Sequence, residues 1–159
     1  MLKKYGLYLL FTVVIFAGQF LRSSHLVTGT PPAIAQTTLQ NQAALTSVSQ
    51  EPAVIYFWAE WCGVCRLMQS AISAINPDYP LLTVALRSGD DAEVNAYLQS
   101  KQLRWQVVND QQGLIANAYG VTAVPAVFFT DSNGKIVFTT TGYTSELGLR
   151  LRLWLAGWL

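Results

Sequence analysis

Metal-binding side chains are nearly missing from this sequence. Its 159 residues include one histidine, His25, and two cysteines, Cys62 and Cys65. A structural zinc site needs four ligands, usually two cysteine pairs or one pair with two histidines, so an intrachain zinc site is excluded. Covalent haem attachment needs a histidine directly after the second cysteine, and that position holds Arg66. Charge is scarce too. Asp, Glu, Lys and Arg make up 12% of the chain and the net charge is +1, which leaves no basic surface for nucleic acid. None of those four residue types occurs from residue 23 to residue 50, and the chain has no internal repeat. At 52% hydrophobic the composition is apolar for a soluble domain. The length suits one domain plus an appendage.

What is present centres on Phe57-Trp58-Ala59-Glu60-Trp61-Cys62-Gly63-Val64-Cys65. The apolar run Ala53 to Trp58 leads in, and a helix-like pattern from Arg66 to Ile72 leads out. The cysteines therefore belong where a buried strand ends and a helix begins. The first turn of a helix carries unpaired N–H groups and the positive end of the helix dipole. A thiolate at Cys62 is favoured there, and Cys65, one turn on, shares its face. A purely structural disulfide is a poor use of the pair, because it closes a loop of about four residues and the stabilisation grows with loop length. The reading left is a reversible dithiol/disulfide.

The N-terminus supplies the compartment. Lys3 and Lys4 precede the uncharged run Tyr5 to Leu21, and Arg22 closes it. As a helix, that run spans about 25 Å, the short end of a membrane crossing, and flanking Lys and Arg side chains can make up the difference. Lysines before the run mark the cytoplasmic side. The expectation is a single-pass anchor in the inner membrane, over residues 1–22, with the rest of the chain periplasmic. The rival is a cleaved signal peptide ending at the small-x-small triplet Ala33-Ile34-Ala35. Either way the cysteines lie outside the cytoplasm, where a reduced thiol must be maintained by a donor.

Residues 23–50 are read as a tether and lead-in to the domain at 51–159. The part from Ser23 to about Gln36, with Thr30-Pro31-Pro32 resisting helix, is expected to be a flexible spacer reaching about 20 Å. The pattern from Thr37 to Ser49 does not decide between helix and strand. After the motif helix, Asn76 to Pro80 is a turn and Leu81 to Leu86 a buried strand. Asp90-Asp91-Ala92-Glu93 opens a helix with acid in its first turn. Trp105 to Val108 is a short strand, Asn109 to Gly113 a loop, and Leu114 to Tyr119 a short helix closed by Gly120. Ala126 to Thr130 and Lys135 to Thr141 flank the turn Asp131-Ser132-Asn133-Gly134 as a hairpin. Glu146 to Leu159 is a last helix. Its apolar face is Leu147, Leu151, Trp154, Leu155 and Trp158, with Leu149 and Leu153 beside it, expected mainly to pack on the sheet and secondarily to meet a membrane surface. The fold class is α/β, with a central mixed sheet flanked by helices.

Trp58-Ala59-Glu60-Trp61-Cys62-Gly63-Val64-Cys65 closely resembles the active-site motif of the thioredoxin superfamily, and Val121-Thr122-Ala123-Val124-Pro125-Ala126-Val127-Phe128-Phe129 resembles its cis-proline loop and following strand. The resemblance covers roughly residues 50 to 156. The α/β segment between the motifs is most similar to the membrane-tethered TlpA/DsbE branch, which includes suppressor-of-copper-sensitivity D-like proteins. The resemblance implies a thioredoxin-like fold and a protein-disulfide oxidoreductase. Cys62 attacks and Cys65 resolves, Trp61 walls the site, and Gly63-Val64 tune the potential. Pro125, in cis, lets Val124 offer its backbone to an extended partner peptide. No cofactor or metal beyond the cysteine pair is implied. The partners implied are thiols and disulfides of envelope proteins and a membrane electron donor, with the chain itself monomeric. Two departures stand out. Thioredoxin proper places a buried Asp where this chain has Tyr56, and no acid follows Cys65 until Asp78. Glu60 is the nearest carboxylate in sequence; it is read first as a solvated surface acid, with proton transfer through water as the alternative. Three other readings stay open at this stage: a dithiol oxidant of envelope proteins, a Cu(I)-binding copper-tolerance factor using soft sulfur ligands, and an assembly factor holding an unfolded partner.

Overall fold

A computed structural model of the chain describes residues 25–34, 38–40 and 51–159. The apolar run 5–21 and most of the undecided stretch 37–49 lie outside the described residues. The elements follow in the order β1 (Ala53–Trp58), α1 (Gly63–Ile75), β2 (Leu81–Leu86), α2 (Asp91–Ser100), β3 (Gln106–Asp110), α3 (Leu114–Ala118), β4 (Ala126–Thr130), β5 (Ile136–Thr141) and α4 (Glu146–Ala156). They build one mixed sheet in the order β3-β2-β1-β4-β5. β1, β2 and β3 run parallel, while β4 is antiparallel to β1 and β5 to β4.

β1 is the central strand and all six of its residues are buried. Alternate side chains of a strand point to opposite faces, and β1 divides its bulk accordingly. Val54, Tyr56 and Trp58 join Met68, Ile72, Ile75, Leu149 and Leu153 on one side. Ile55 and Phe57 join Ile115, Tyr119 and Phe128 on the other. Aromatic rings fill both layers. Trp58 stacks on Tyr97 at 5.5 Å and meets Trp105 edge-on at 5.7 Å. Phe57, Tyr119 and Phe128 form a triangle with centroids 5.2 to 5.5 Å apart.

The structure corrects four sequence expectations. First, residues 25–34 are not a free spacer. Leu26 and Ile34 are buried in the second layer, each worth about 1.5–3 kcal/mol of burial. The Val27 N–H donates to the Tyr119 carbonyl at 3.2 Å, and Gly29 and Ile136 exchange backbone hydrogen bonds at 2.9 and 2.7 Å. The Tyr119 hydroxyl donates to the Pro32 carbonyl at 2.9 Å. The segment is a strap across the sheet. Second, the strand read as 105–108 runs to Asp110. Asn109 and Asp110 pair with Ala85 and Leu86, and the buried Asp110 carboxylate accepts the Ala116 N–H at 2.8 Å. Third, β5 starts at Ile136, because the Lys135 N–H is taken by the Asp131 carboxylate inside the turn.

Fourth, the last helix ends at Ala156 and turns a different face inward. Leu149, Leu153 and Ala156, at i, i+4 and i+7, are buried. Leu147, Leu151, Trp154 and Trp158 are exposed. The rotation is set by polar anchors. Ser145 caps the helix through the Gly148 N–H, and Arg150 reaches Asp78 at 2.9 Å and the Ala74 carbonyl at 3.0 Å.

Gly120 carries the strap's closest approach. Its φ is +70°, and a Cβ there would collide with the His25 carbonyl oxygen. Gly120→Ala is expected to cost about 1–3 kcal/mol through backbone conformation and this collision together. Gly142→Ala is the control, because Gly142 also has positive φ but faces open space. Urea unfolding should show the larger loss at Gly120, and equal losses would deny the strap contact.

Candidate active site

The site is assembled by the junction of β1 and α1. β1 delivers Trp58 and Ala59, the chain turns through Glu60 and Trp61, and Cys62 becomes the N-cap of α1 with φ −83° and ψ 107°. The Cys62 N–H donates to the Ala59 carbonyl at 3.2 Å. The Cys65 N–H donates to Cys62 Sγ at 3.1 Å. A helix cap is normally an oxygen acceptor, and a sulfur in that place receives a first-turn N–H and the positive end of a 13-residue helix. Both favour the ionised thiol when the pair is reduced.

Cys62 and Cys65 are joined by a disulfide with Cα atoms 5.2 Å apart. Cys62 is the more exposed of the two. The difference is small, 6% against 2%; what sets the two apart is that Cys62 is the helix cap. Just before β4, the strand next to β1, the Val124–Pro125 peptide is cis, and the Val124 carbonyl oxygen lies 3.6 Å from Cys62 Sγ. Gly63 and Val64 are exposed on the helix tip. Trp61 is 62% exposed, with its indole N–H held by the Arg87 carbonyl at 3.1 Å. Glu60 is exposed; its N–H donates to Ser88 Oγ at 3.0 Å and its carbonyl accepts from Arg66 at 3.2 Å. Its backbone is held in the turn while its carboxylate faces solvent.

Tyr56 occupies the buried position behind the pair. Its hydroxyl lies 3.5 Å from the Cys65 carbonyl. Burial pushes that hydroxyl well above the usual tyrosine range, and Tyr97 adds to the rise. Tyr56 is therefore a fixed neutral group and no substitute for a carboxylate base.

Residues absent from the sequence reading also meet here. The Gly142 N–H donates to the Pro125 carbonyl at 2.8 Å, and the Thr144 N–H donates to Met68 Sδ at 3.4 Å. Between them, Tyr143 stands exposed beside the proline loop. Trp61, Val64 and Leu67, on the cysteine side, are exposed apolar side chains as well. Nothing local marks Tyr143, since only the pairing of β4 with β5 brings it to the site. On the other flank, Glu60, Trp61, Arg66, Arg87, Ser88, Gly89 and Glu93 line a cleft of about 410 Å³. Arg87 adopts the left-handed conformation, φ 46°, as its N–H binds the Asp110 carbonyl and its own carbonyl turns to Trp61. Among the described residues no three His, Cys, Asp or Glu side chains come together as metal ligands, and no helix is long and apolar enough to cross a membrane.

Residues 29–139 match the AhpC/TSA family. The chain is similar to a thioredoxin-like protein of Haemophilus influenzae, 36% identical over 157 residues that cover 95% of this chain and 91% of that one. It is similar to a thiol:disulfide interchange protein DsbE homologue of Paracoccus denitrificans, 27% identical over 114 residues, or 70% of this chain and 64% of that one. Among solved structures, a secreted Mycobacterium tuberculosis disulfide oxidoreductase homologous to E. coli DsbE aligns with a TM-score of 0.63 at 27% identity, covering 75% of this chain and 92% of that one. The α/β architecture described above is a thioredoxin-like fold.

Proposed function

This chain belongs to the AhpC/TSA family, and from that premise we propose that it is a membrane-tethered, extracytoplasmic reductase of protein disulfides. That it is a thiol–disulfide oxidoreductase of DsbE type follows from its relatives and from the paired cysteines. Exchange through Cys62 is supported by one observation above the others: its sulfur is the cap of a long helix, holds a first-turn N–H, and lies beside the Val124 backbone. Reduction rather than oxidation is favoured by the likeness to DsbE-type and ResA-type relatives, and no residue of the site decides it.

In the reduced protein, the Cys62 thiolate attacks one sulfur of a partner disulfide. The other partner sulfur leaves as thiolate and takes a proton. Cys65 then loses its proton and attacks Cys62 Sγ in the mixed disulfide. The second partner thiol is released, and two electrons have passed from the cysteine pair to the partner. The cycle closes when a dithiol donor reduces the Cys62–Cys65 disulfide again; an exported reductant must be recharged, and a membrane protein is the donor we infer. Val124 binds the partner backbone as an added strand does, with Pro125 shaping that loop. Trp61 forms a wall of the groove, and Gly63 and Val64 tune thiolate stability. Glu60, facing solvent, transfers protons only through water. The apolar run 5–21 with Lys3 and Lys4 before it supports an inner-membrane anchor with the domain on the periplasmic side.

The direction of electron flow is tested by the reduction potential of the pair, measured by equilibration with a thiol buffer of known poise. A reductase is expected near −250 mV or lower, whereas a value near about −120 mV makes the protein a dithiol oxidant and overturns the reading.

A further inference from the structure

The strap fixes more than the fold. β1 runs toward Cys62, and Phe57 near its end pairs with Ala126 of β4, which pairs with Thr141 of β5. β5 therefore starts at the far end of the sheet and finishes at the active-site end. Gly29 pairs antiparallel with Ile136, the first residue of β5. The strap accordingly comes in from the active-site end and runs away from it. His25, its first described residue, sits against Gly120 in the segment leading to the proline loop.

Only Arg22, Ser23 and Ser24 separate His25 from the uncharged run that ends at Leu21. Fully extended, that link spans at most about 14 Å. The chain therefore leaves the docked strap at the active-site end with almost no slack. We propose that residues 25–34 are an orienting strap that turns the Cys62 end of the domain toward the bilayer, which brings that end to the membrane donor of the proposed cycle. This rests on the reading of residues 5–21 as a membrane anchor. It also assigns the exposed ridge of α4 a place. That helix starts near Gly142, beside Pro125, and ends with Gly157 against Pro52, just before β1 begins, so Trp154 and Trp158 lie toward the end of the domain away from the anchoring bilayer.

The test uses the full chain carrying Cys65→Ser, which leaves Cys62 as its one thiol, in phospholipid vesicles. Labelling rates are compared for N-ethylmaleimide and for a polyethylene-glycol maleimide of about 5 kDa. In a second variant, a flexible Gly/Ser segment of about 20 residues, reaching roughly 25 Å, is inserted between Ser24 and His25. A third variant undocks the strap without lengthening it, by Leu26→Asp and Ile34→Asp. The large reagent should be slowed relative to the small one in the parent chain, and both variants should relieve the difference at least about fivefold, since each restores the slack of a free linker. An unchanged ratio in either variant overturns the strap as the orienting element. Failure of the parent chain to float with the vesicles overturns the anchor reading, and the orientation with it. Failure of Cys62 to react even with N-ethylmaleimide in the lengthened variant overturns the activity reading.

Discussion

Replacing Cys65 with serine turns a turnover catalyst into a trap. Reduction of insulin disulfides should fall by about 10³-fold or more, as when one member of a cooperating pair is removed. Covalent complexes through Cys62 should accumulate at the same time. The geometry gives the reason. Cys62 Sγ keeps its place at the helix cap, so attack on a partner survives. The only thiol within bonding reach of the mixed disulfide, on a Cα 5.2 Å away, is gone. Cys62→Ser should be equally inactive and form no complexes, because Cys65 lies one turn inside the helix and is not its cap. Non-reducing electrophoresis of each variant mixed with envelope proteins distinguishes them. Identical behaviour of the two variants would sink the exchange mechanism.

The second large effect is on stability. Trp58→Ala should cost about 3–5 kcal/mol, lowering the thermal midpoint by roughly 10–20 °C in a domain of this size. Trp58 is almost wholly buried, stacks on Tyr97, meets Trp105 edge-on, and donates its indole N–H to Thr83 Oγ1 at 3.1 Å. It is also the last residue of β1, so it ties α2 and the head of β3 to the strand that carries the cysteines. Trp58→Phe should lose about 1–2 kcal/mol, because part of the ring packing remains while the hydrogen bond to Thr83 does not. Urea midpoints at unchanged slope are the measurement. A loss under about 1 kcal/mol for the alanine variant would show that the Tyr97–Trp105 layer closes without Trp58.

These two sites were legible for different reasons. Cys62 and Cys65 announce themselves because the strand-to-helix switch and the sulfur spacing are local in the chain. The sheet was legible because β1, β2 and β4 are short, continuous apolar runs bounded by turns. The strap was not. An uncharged segment with Thr30-Pro31-Pro32 has the composition of a spacer, and Leu26 and Ile34 become anchors only once α3 and β4 have built the layer they enter. The inward face of α4 was hidden for the opposite reason. Apolar residues surround most of that helix, so periodicity offers several faces, and the choice falls to the Arg150 contacts with Asp78 and Ala74. Asn109 and Asp110 read as loop because those residue types favour turns, yet β2 supplies a ladder that outweighs the preference. Tyr56 was legible as a departure, while its depth and its hydroxyl beside the Cys65 carbonyl needed the fold.

The Gly29–Ile136 pairing has a practical corollary for anyone cutting the gene to obtain a soluble fragment. A product beginning near Pro52 leaves the outer flank of β5 bare at Ile136 and uncovers the oily floor under Leu26 and Ile34. Two such truncated molecules have matching open margins to zip together, so the shortened protein should self-associate, and a fragment beginning at Ser24 is the one suited to solution work.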